Sequence, residues 1–337
     1  MKRAAKIGAG LALALALYGG AYLVANGSVS ARTDDIERVT RAGLAPAGDT
    51  LSILTWNLGY AGLGAGSDFV ADGGTHYFPP SREAARANAD AIARFLGGQD
   101  ADIILLEELA HGGPVNYWVN LKQRVDAALL DRDALFFADF KTRLAPWPLA
   151  MSHGQGIYAR RAIESADVVP LPAENSGIMG VKRRYASVVS RLANGWTVAS
   201  VHLAAFDDDA AVRTRQLRAL MVWADREYQS GRRVVIGGDW NLQLAETHFA
   251  NTTEPRFLFW IFPFPQDALP EGWRIAADAA TPSVRTNERP YRRGENYTTV
   301  IDGFILSPNV SVEEVRGIDL DFQHSDHNPV LVRLKAR

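Results

Sequence analysis

The chain of 337 residues contains no cysteine, so it can form neither a disulfide bond nor a thiolate metal site. It also lacks an excess of either charge, because 36 basic and 38 acidic side chains give a formal net charge of −2. No overall electrostatic field draws the protein to nucleic acid, and we expect no stable nucleic-acid complex. Neither a G-x-S-x-G elbow nor a P-loop is present, which leaves a nucleophile-elbow esterase or an NTPase without support.

A long apolar run is present at the start of the chain. Lys2, Arg3 and Lys6 precede an uncharged segment, residues 7–25, which as a helix would be roughly 28 Å long, close to the hydrocarbon thickness of a bilayer. The positive flank predicts a cytoplasmic tip and an exported body. The run exceeds a usual signal-peptide core, yet residues 29–31 (Val-Ser-Ala) form an acceptable cleavage site. An uncleaved membrane anchor and a cleaved signal that releases the protein both stay open; a buried soluble helix is disfavoured, since the run is apolar on every face.

Three segments follow from this pattern. Residues 1–31 are the transmembrane anchor or signal peptide, and residues 32–50 are a polar linker with one short helix at Asp34–Arg41. Residues 51–337 form the globular body, and a chain of 337 residues fits one large or two modest domains on length alone. The sequence does not indicate an oligomeric state.

The body alternates the patterns of helices and strands. Ser81 follows two prolines and is suited to cap a helix that ends at Gly97-Gly98. Further helices are predicted at Tyr117–Leu130 and Ala210–Tyr228. Strands are predicted at 51–56, 103–106, Leu135–Ala138, Gly156–Arg160, Ala186–Leu192, Thr197–His202, Arg233–Gly237, Thr299–Leu306 and Val330–Leu334. Some strands follow each other directly, so antiparallel pairs must mix with crossovers in an α/β fold of two or more layers.

Polar side chains follow several of the predicted strands. Open α/β sheets bind their ligands at the carboxyl ends of the strands. Carboxylate, carboxamide and imidazole groups suit a divalent cation and a phosphate. The side chains in question are Asn57, Glu108, His202, Asp239, Asn241, Asp302, Asp326 and His327.

The motifs that contain these residues resemble those of a known superfamily. They are T-W-N at 55–57, D-I-I-L-L-E-E at 102–108, V-H-L at 201–203, G-G-D-W-N at 237–241, I-D-G-F at 301–304 and S-D-H-N-P-V at 325–330. Together they resemble the endonuclease/exonuclease/phosphatase (DNase I-like) superfamily, which includes nucleases, inositol-phosphate phosphatases and neutral sphingomyelinases. N-L-G-Y-A-G-L-G at 57–64 and D-G-G at 72–74 are similar to a bacterial, membrane-anchored or exported branch.

The resemblance spans roughly Leu51 to Arg337 and implies a single catalytic domain over residues 51–337. The implied fold is a four-layer sandwich of two packed mixed β-sheets flanked by helices. The implied cofactor is Mg²⁺, with Mn²⁺ as the alternative. The implied metal site consists of Asn57, Glu108 and Asp326. The implied catalytic residues are His202, Asp239, Asn241, Asp302 and His327.

Two of these assignments depend on further points. Glu107 and Glu108 are adjacent, and successive residues of a strand point to opposite faces of the sheet. Only one of them can therefore be a metal ligand, and the resemblance selects Glu108. Asp302 resembles the aspartate that orients a catalytic histidine, and either His202 or His327 fits that role.

Weaker signals bear on the substrate. Lys141, His153 and Arg184 lie near positions that bind substrate in the family, although surface cations are an equal alternative. Proline at 263 and 265 limits an aromatic segment that we expect either to form an exposed, membrane-contacting tip or to fold back over the core. Its aromatic residues are Phe257, Phe259, Trp260, Phe262 and Phe264.

The sequence therefore predicts a Mg²⁺-dependent phosphoester hydrolase, anchored in a membrane by its N-terminal helix, whose catalytic domain lies outside the cytoplasm. Its expected substrate is a phosphodiester or phosphomonoester, either a phospholipid head group or a small phosphoester. An exported metal-dependent nuclease is the alternative within the same chemistry. A catalytically inactive, membrane-tethered binding module is the alternative from another class.

Overall fold

Two β-sheets packed face to face form the centre of the molecule in the computed structural model. The structure describes residues 2–173, 177, 180–205 and 209–337, with the backbone alone for residues 2–5, so that Met1 of the predicted anchor lies outside the described residues. The helices are α1 (Lys2–Asn26), α2 (Arg82–Gly97), α3 (Leu121–Ala128) and α4 (Ala211–Gln229). The strands are β1 (Glu37–Val39), β2 (Thr50–Asn57), β3 (Ile103–Ala110), β4 (Asp133–Lys141), β5 (Ser152–Ala159), β6 (Ile163–Pro170), β7 (Ala186–Leu192), β8 (Trp196–His202), β9 (Arg233–Asp239), β10 (Arg274–Ala276), β11 (Val284–Arg285), β12 (Thr298–Thr299), β13 (Asp302–Leu306), β14 (Val310–Gly317) and β15 (Val330–Ala336).

Both large sheets are mixed. The first has the order β1-β4-β5-β3-β2-β15-β14, and the second has the order β10-β13-β9-β8-β7-β6. The pairs β2–β3 and β8–β9 are parallel, and α2 and α4 provide the crossovers that parallel neighbours require. Strands β11 and β12 form a separate antiparallel ribbon.

Buried apolar side chains form three large clusters, one between the two sheets and one between each sheet and its helices. Leu51 and Ile53 of the first sheet share one buried cluster with Val188, Val198 and Phe304 of the second. A second cluster joins α2 and α3 to the outer face of the first sheet, and a third joins α4 to the outer face of the second. This arrangement confirms the four-layer α/β sandwich of two packed mixed sheets flanked by helices.

The helix boundaries follow local capping. Ser81 Oγ accepts a hydrogen bond from the Ala84 amide at 3.1 Å, as expected of an N-cap. Helix α3 begins later than the predicted Tyr117, because Tyr117 and Trp118 have left-handed backbone angles (φ 52° and 58°) that a helix cannot contain. Asn120 caps α3 instead, accepting from the Gln123 amide at 3.0 Å.

The segment predicted as a linker makes ordered contacts with the domain. The expected short helix at Asp34–Arg41 is wrong: only a 3₁₀ turn at Thr33–Asp35 forms, and β1 then pairs with the edge of the first sheet, Glu37 opposite Phe136. Farther along, Trp196 Nε1 donates to the Gly48 carbonyl at 2.8 Å. The edge of the sheet satisfies the backbone of this polar segment, and so favours the strand over an isolated helical turn.

The short strands β10 and β11 do not appear among the predicted strands, and neither do the two longer edge strands β6 and β14. Each of the two longer strands is only partly buried, and charged residues interrupt its apolar positions, as in the run Val-Glu-Glu-Val-Arg at 312–316. Polar residues are common on edge strands because they discourage pairing with other chains. The apolar pattern that identifies central strands is therefore weak here.

Candidate active site

The chain places the carboxyl ends of four strands at one edge of the sandwich. Parallel pairing of β8 and β9 sets His202 opposite Asp239, and parallel pairing of β2 and β3 sets Asn57 opposite Glu107. Antiparallel pairing of β13 with β9 sets Asp302 opposite Asp239. Since the two sheets pack face to face, these polar ends meet in one cluster.

Asp239 lies at the centre of this cluster. Its Oδ2 accepts from Asn57 Nδ2 at 2.9 Å, and its Oδ1 accepts from the Asn241 backbone amide at 2.9 Å. The Nε2 atoms of His202 and His327 lie 3.6 Å and 3.8 Å from the same Oδ2. Asparagine and histidine residues from four separate motifs thus surround one buried carboxylate.

Asp302 orients His327, which decides between the two histidines left open by the sequence. His327 Nδ1 lies 2.9 Å from Asp302 Oδ2, and the Asp302 carboxyl is fully buried. Burial alone would lower the pKa of His327, but the charge of Asp302 and its hydrogen bond raise that pKa well above the ordinary value. The pairing places the Nδ1 proton toward Asp302 and turns Nε2 toward Asp239.

His202 is held by an arginine instead. The Arg183 guanidinium, which can only donate, lies 2.9 Å from His202 Nδ1, so that nitrogen accepts and Nε2 carries the proton. Burial, together with the charge of Arg183, lowers the pKa of His202 well below its usual value. Arg183 is itself held by Asp139 Oδ2 at 2.7 Å. His202 therefore presents a neutral ring with an N–H directed at the cluster.

A β-bulge separates the two adjacent glutamates. The register of β3 shifts between Leu106 and Leu109, and Glu108 has a left-handed φ of 51°. Glu107 is buried between the sheets and accepts from Ser200 Oγ at 3.1 Å. Glu108 Oε1 lies 3.9 Å from His202 Nε2. The bulge, rather than simple alternation, gives the two carboxylates different surroundings.

Asp326 approaches the cluster from the last loop. Its Oδ2 accepts from Asn287 Nδ2 at 2.8 Å, and the same amide nitrogen lies 2.6 Å from Asp72 Oδ2. Gly59 lies close to the other carboxylate oxygen of Asp326. A Cβ at this residue, whose φ is +49°, would lie only 2.7 Å from Asp326 Oδ1. The glycine in N-L-G-Y and the aspartate in D-G-G thus shape the surroundings of Asp326.

The expected substrate-binding residues divide into three cases. His153 forms part of the wall of the site, since its Nδ1 lies 3.5 Å from Asp139 Oδ1 and its ring contacts Tyr60. Lys141 lies at the exposed end of β4, outside the buried cluster.

Arg184 is the third case, and contacts within the protein occupy its side chain. Its buried guanidinium donates to Asp35 Oδ2 at 2.9 Å and to the Ala138 carbonyl at 2.6 Å. The neighbouring Arg183 reaches the cluster instead, because consecutive residues in extended chain point in opposite directions.

Of the two alternatives for the aromatic segment, the structure shows the one in which it folds back over the core, so the exposed, membrane-contacting tip is wrong. Trp260 and Phe264 are 5% and 4% exposed. Trp260 packs with Val284 and Ile301, and Phe264 packs edge-on to Trp240. The Phe262 ring lies under the Arg213 guanidinium, and the Phe257 ring contacts Arg256. Phe259 is the one exposed residue of the five, with 42% of its surface accessible. Burying these large rings is more favourable than exposing them to water.

Comparison with known proteins identifies the family. The model of the Endonuclease/Exonuclease/phosphatase family matches residues 54–327. The chain belongs to this family. Its members are metal-dependent phosphoric ester hydrolases, and this protein is an enzyme of that class. No curated protein matches the chain.

Solved structures share the fold. The endonuclease/exonuclease/phosphatase from Beutenbergia cavernae DSM 12333 is 18% identical, with a TM-score of 0.59 over 85% of this chain and 72% of that one. TDP2 from Caenorhabditis elegans is 15% identical, with a TM-score of 0.54 over 88% and 77%. The human Nocturnin catalytic domain with bound sulfate is 15% identical, with a TM-score of 0.52 over 90% and 99%. At these identities the likeness establishes the sandwich and not the substrate.

Proposed function

We propose that the enzyme hydrolyses a phosphoester by in-line attack of a water molecule that Asp239 orients. The supporting observation is the convergence on one buried carboxylate of Asn57 at 2.9 Å, His202 at 3.6 Å and His327 at 3.8 Å. A carboxylate in this position can accept a proton from water, while the surrounding N–H groups interact with phosphoryl oxygens.

Glu108, Asp326 and Asn57 would hold a divalent cation, with Mg²⁺ first and Mn²⁺ second. Burial, and next the charge of Asp326, raises the pKa of Glu108 to about 8, so these two carboxylates are mutually unfavourable without a cation. The oxygen donors match the preference of Mg²⁺. When bound, the cation neutralises charge on the phosphoryl and leaving oxygens.

A second group of possible ligands is less suited to a metal. Asp239, Asp302 and His327 offer atoms that all lie within 4.8 Å of one another. His327 and Asp302, however, already neutralise each other through their 2.9 Å hydrogen bond. We therefore assign this group to proton transfer and the Glu108–Asp326 pair to the metal.

The remaining residues take distinct roles in the proposed reaction. His202 donates a hydrogen bond from Nε2–H to a phosphoryl oxygen and keeps its proton, because Arg183 occupies its Nδ1. His327, with its raised pKa, donates from Nε2 to a phosphoryl or leaving oxygen. Asn241 Nδ2 donates to the Leu203 carbonyl at 3.1 Å, and its second N–H is assigned to the substrate.

The proposed location is the outer face of a membrane, with α1 as the anchor. The segment Lys6–Asn26 is long and apolar enough to cross a bilayer, a property that a signal sequence shares. The last residue of α1 supports retention, because Asn26 exchanges hydrogen bonds with the backbone of Arg143 at 2.7 and 2.8 Å. A small phosphoester or a phospholipid head group is the proposed substrate.

A substrate panel tests this proposal. The full chain in detergent micelles is assayed with soluble phosphomonoesters and phosphodiesters, phospholipids and plasmid DNA, with Mg²⁺ and with a chelator. We expect hydrolysis of at least one ester that the chelator and Asp239→Asn both abolish. Cleavage of DNA alone would identify a nuclease. If wild-type protein hydrolyses nothing, or Asp239→Asn retains full activity, the proposal is wrong.

A further inference from the structure

Exposed aromatic and leucine side chains form a surface at the edge of the active site. The β4–β5 loop, residues 142–151, contains Leu144, Trp147 and Leu149, whose exposed fractions are 55%, 79% and 44%. Trp118 lies beside it, with its ring centroid 6.1 Å from that of Trp147 and its Nε1 donating to the Pro148 carbonyl at 3.0 Å.

Two further exposed rings extend this surface. Phe78 is 48% exposed and packs 6.0 Å from Tyr117, the neighbour of Trp118, and Tyr77 is 67% exposed. Contiguous exposed apolar residues of this size mark an interaction surface. We call this surface the aromatic rim; it consists of Tyr77, Phe78, Trp118, Leu144, Trp147 and Leu149.

The end of α1 is attached to the same loop. Asn26 Oδ1 accepts from the Arg143 amide at 2.7 Å, and the Lys182 amide donates to the Asn26 carbonyl at 2.9 Å. About two turns earlier in α1, the Tyr18 hydroxyl donates to the Leu144 carbonyl. The point at which the anchor joins the domain therefore adjoins the aromatic rim.

The charges around the rim match a lipid surface. Lys141, Arg143 and Lys182 lie in or beside it, and the segments 76–79, 112–121, 141–151 and 180–184 contain no aspartate or glutamate. Tryptophan and tyrosine favour the boundary between lipid and water, and basic side chains near it attract anionic head groups.

The rim is also next to the catalytic cluster. β4 and β5 are paired so that Phe140 lies opposite His153, at the edge of the sheet where β3 carries Glu108. From β4, Asp139 binds Arg183 at 2.7 Å, which in turn binds His202 at 2.9 Å. The loop that bears the rim thus rises from the strands that form one wall of the site.

We propose that the aromatic rim rests on the surface of the bilayer that holds α1, so that the enzyme acts on phosphoester head groups within that same bilayer. This rests on the proposed function, which leaves the substrate's location open. It also replaces the 257–264 segment as the region that contacts lipid.

Single-cysteine labelling tests the proposal, since the chain has no native cysteine. Leu149→Cys and a matched control, Leu130→Cys, each carry an environment-sensitive fluorophore in the full chain, reconstituted in vesicles of phosphatidylcholine and phosphatidylglycerol. Leu130 is 63% exposed but precedes β4, whose nine residues separate it from the rim by about 30 Å.

We expect blue-shifted emission from position 149, with quenching by spin-labelled lipid, and neither effect at position 130. Trp147→Cys provides a second rim position should Leu149→Cys fail to fold. Equal, unquenched emission at the rim and control positions would overturn the proposal. So would emission at the rim that changes with the protein-to-lipid ratio, which would indicate that a second copy covers it.

Activity supplies an independent comparison. We expect the double variant Trp147→Ser, Leu149→Ser to lose about tenfold in hydrolysis of a vesicle phospholipid, because apolar burial at the interface is lost, while hydrolysis of a soluble ester is unchanged. Equal activity of variant and wild type on vesicles would contradict the proposal. Failure of the wild type on every ester would refute the proposed function instead, and the fluorescence result would still stand.

Discussion

Replacing Asp302 by asparagine tests the role of the buried His327–Asp302 pair. The substitution keeps the shape of the side chain but removes the charge that lies 2.9 Å from His327 Nδ1. A hydrogen bond to a charged group contributes about 1.5–3 kcal/mol. We therefore expect kcat on a soluble phosphoester to fall ~10- to 150-fold, at 1.4 kcal/mol per factor of ten.

The assay uses the full chain in micelles with saturating Mg²⁺, and thermal unfolding checks that the variant folds. Asp267→Asn is the matched control, because Asp267 is exposed and forms its ion pair with Arg218 at the protein surface. Its kcat should equal that of the wild type. An unchanged kcat in Asp302→Asn would refute the reasoning, since His327 would then act without its carboxylate partner.

Other substitutions separate neighbouring residues. Glu108→Gln should lower kcat by about 100-fold, since a bound cation supplies several kcal/mol of charge stabilisation, whereas Glu107→Gln should lower kcat less; equal losses would contradict the assignment. Gly59→Ala should reduce the free energy of unfolding by at least about 1–2 kcal/mol, because φ is +49° there and the new Cβ would lie 2.7 Å from Asp326 Oδ1, and calorimetry measures this directly. Arg183→Ala should lower kcat, whereas Arg184→Ala should lower the melting temperature and leave kcat intact; the reverse pattern would show that the two arginines had been assigned wrongly.

The residue pattern alone predicts an α/β fold of two or more layers with polar side chains at the ends of its strands, and the resemblance to a known family adds the four-layer sandwich. Buried strands are continuous apolar runs, so their ends could be located, and parallel pairing carries side chains such as His202 and Asp239 to a common edge. The partner of Asp302 could not be derived in this way, because it depends on how the loop between β14 and β15 of the first sheet places His327 against Asp302 of the second sheet.

Local backbone irregularities set the other limits of prediction. The bulge at Glu108 is not visible in a pattern of alternating residues, and the loop that turns Arg183 inward gives its neighbour Arg184 the opposite direction. The aromatic segment around Trp260 has the composition of an exposed tip, yet tertiary packing buries it. In each case long-range contacts, rather than local preference, decide the outcome.

The location of a bound metal tests the central claim most directly. Crystals of the full chain grown with Mn²⁺ and inorganic phosphate would reveal the cation by its anomalous scattering. We predict one peak coordinated by Glu108 and Asp326, with the phosphate beside His202 and His327. A peak bound by Asp302 and His327 would contradict a single centre for metal and phosphate. So would a peak that lies away from Glu108, Asp326, His202 and His327.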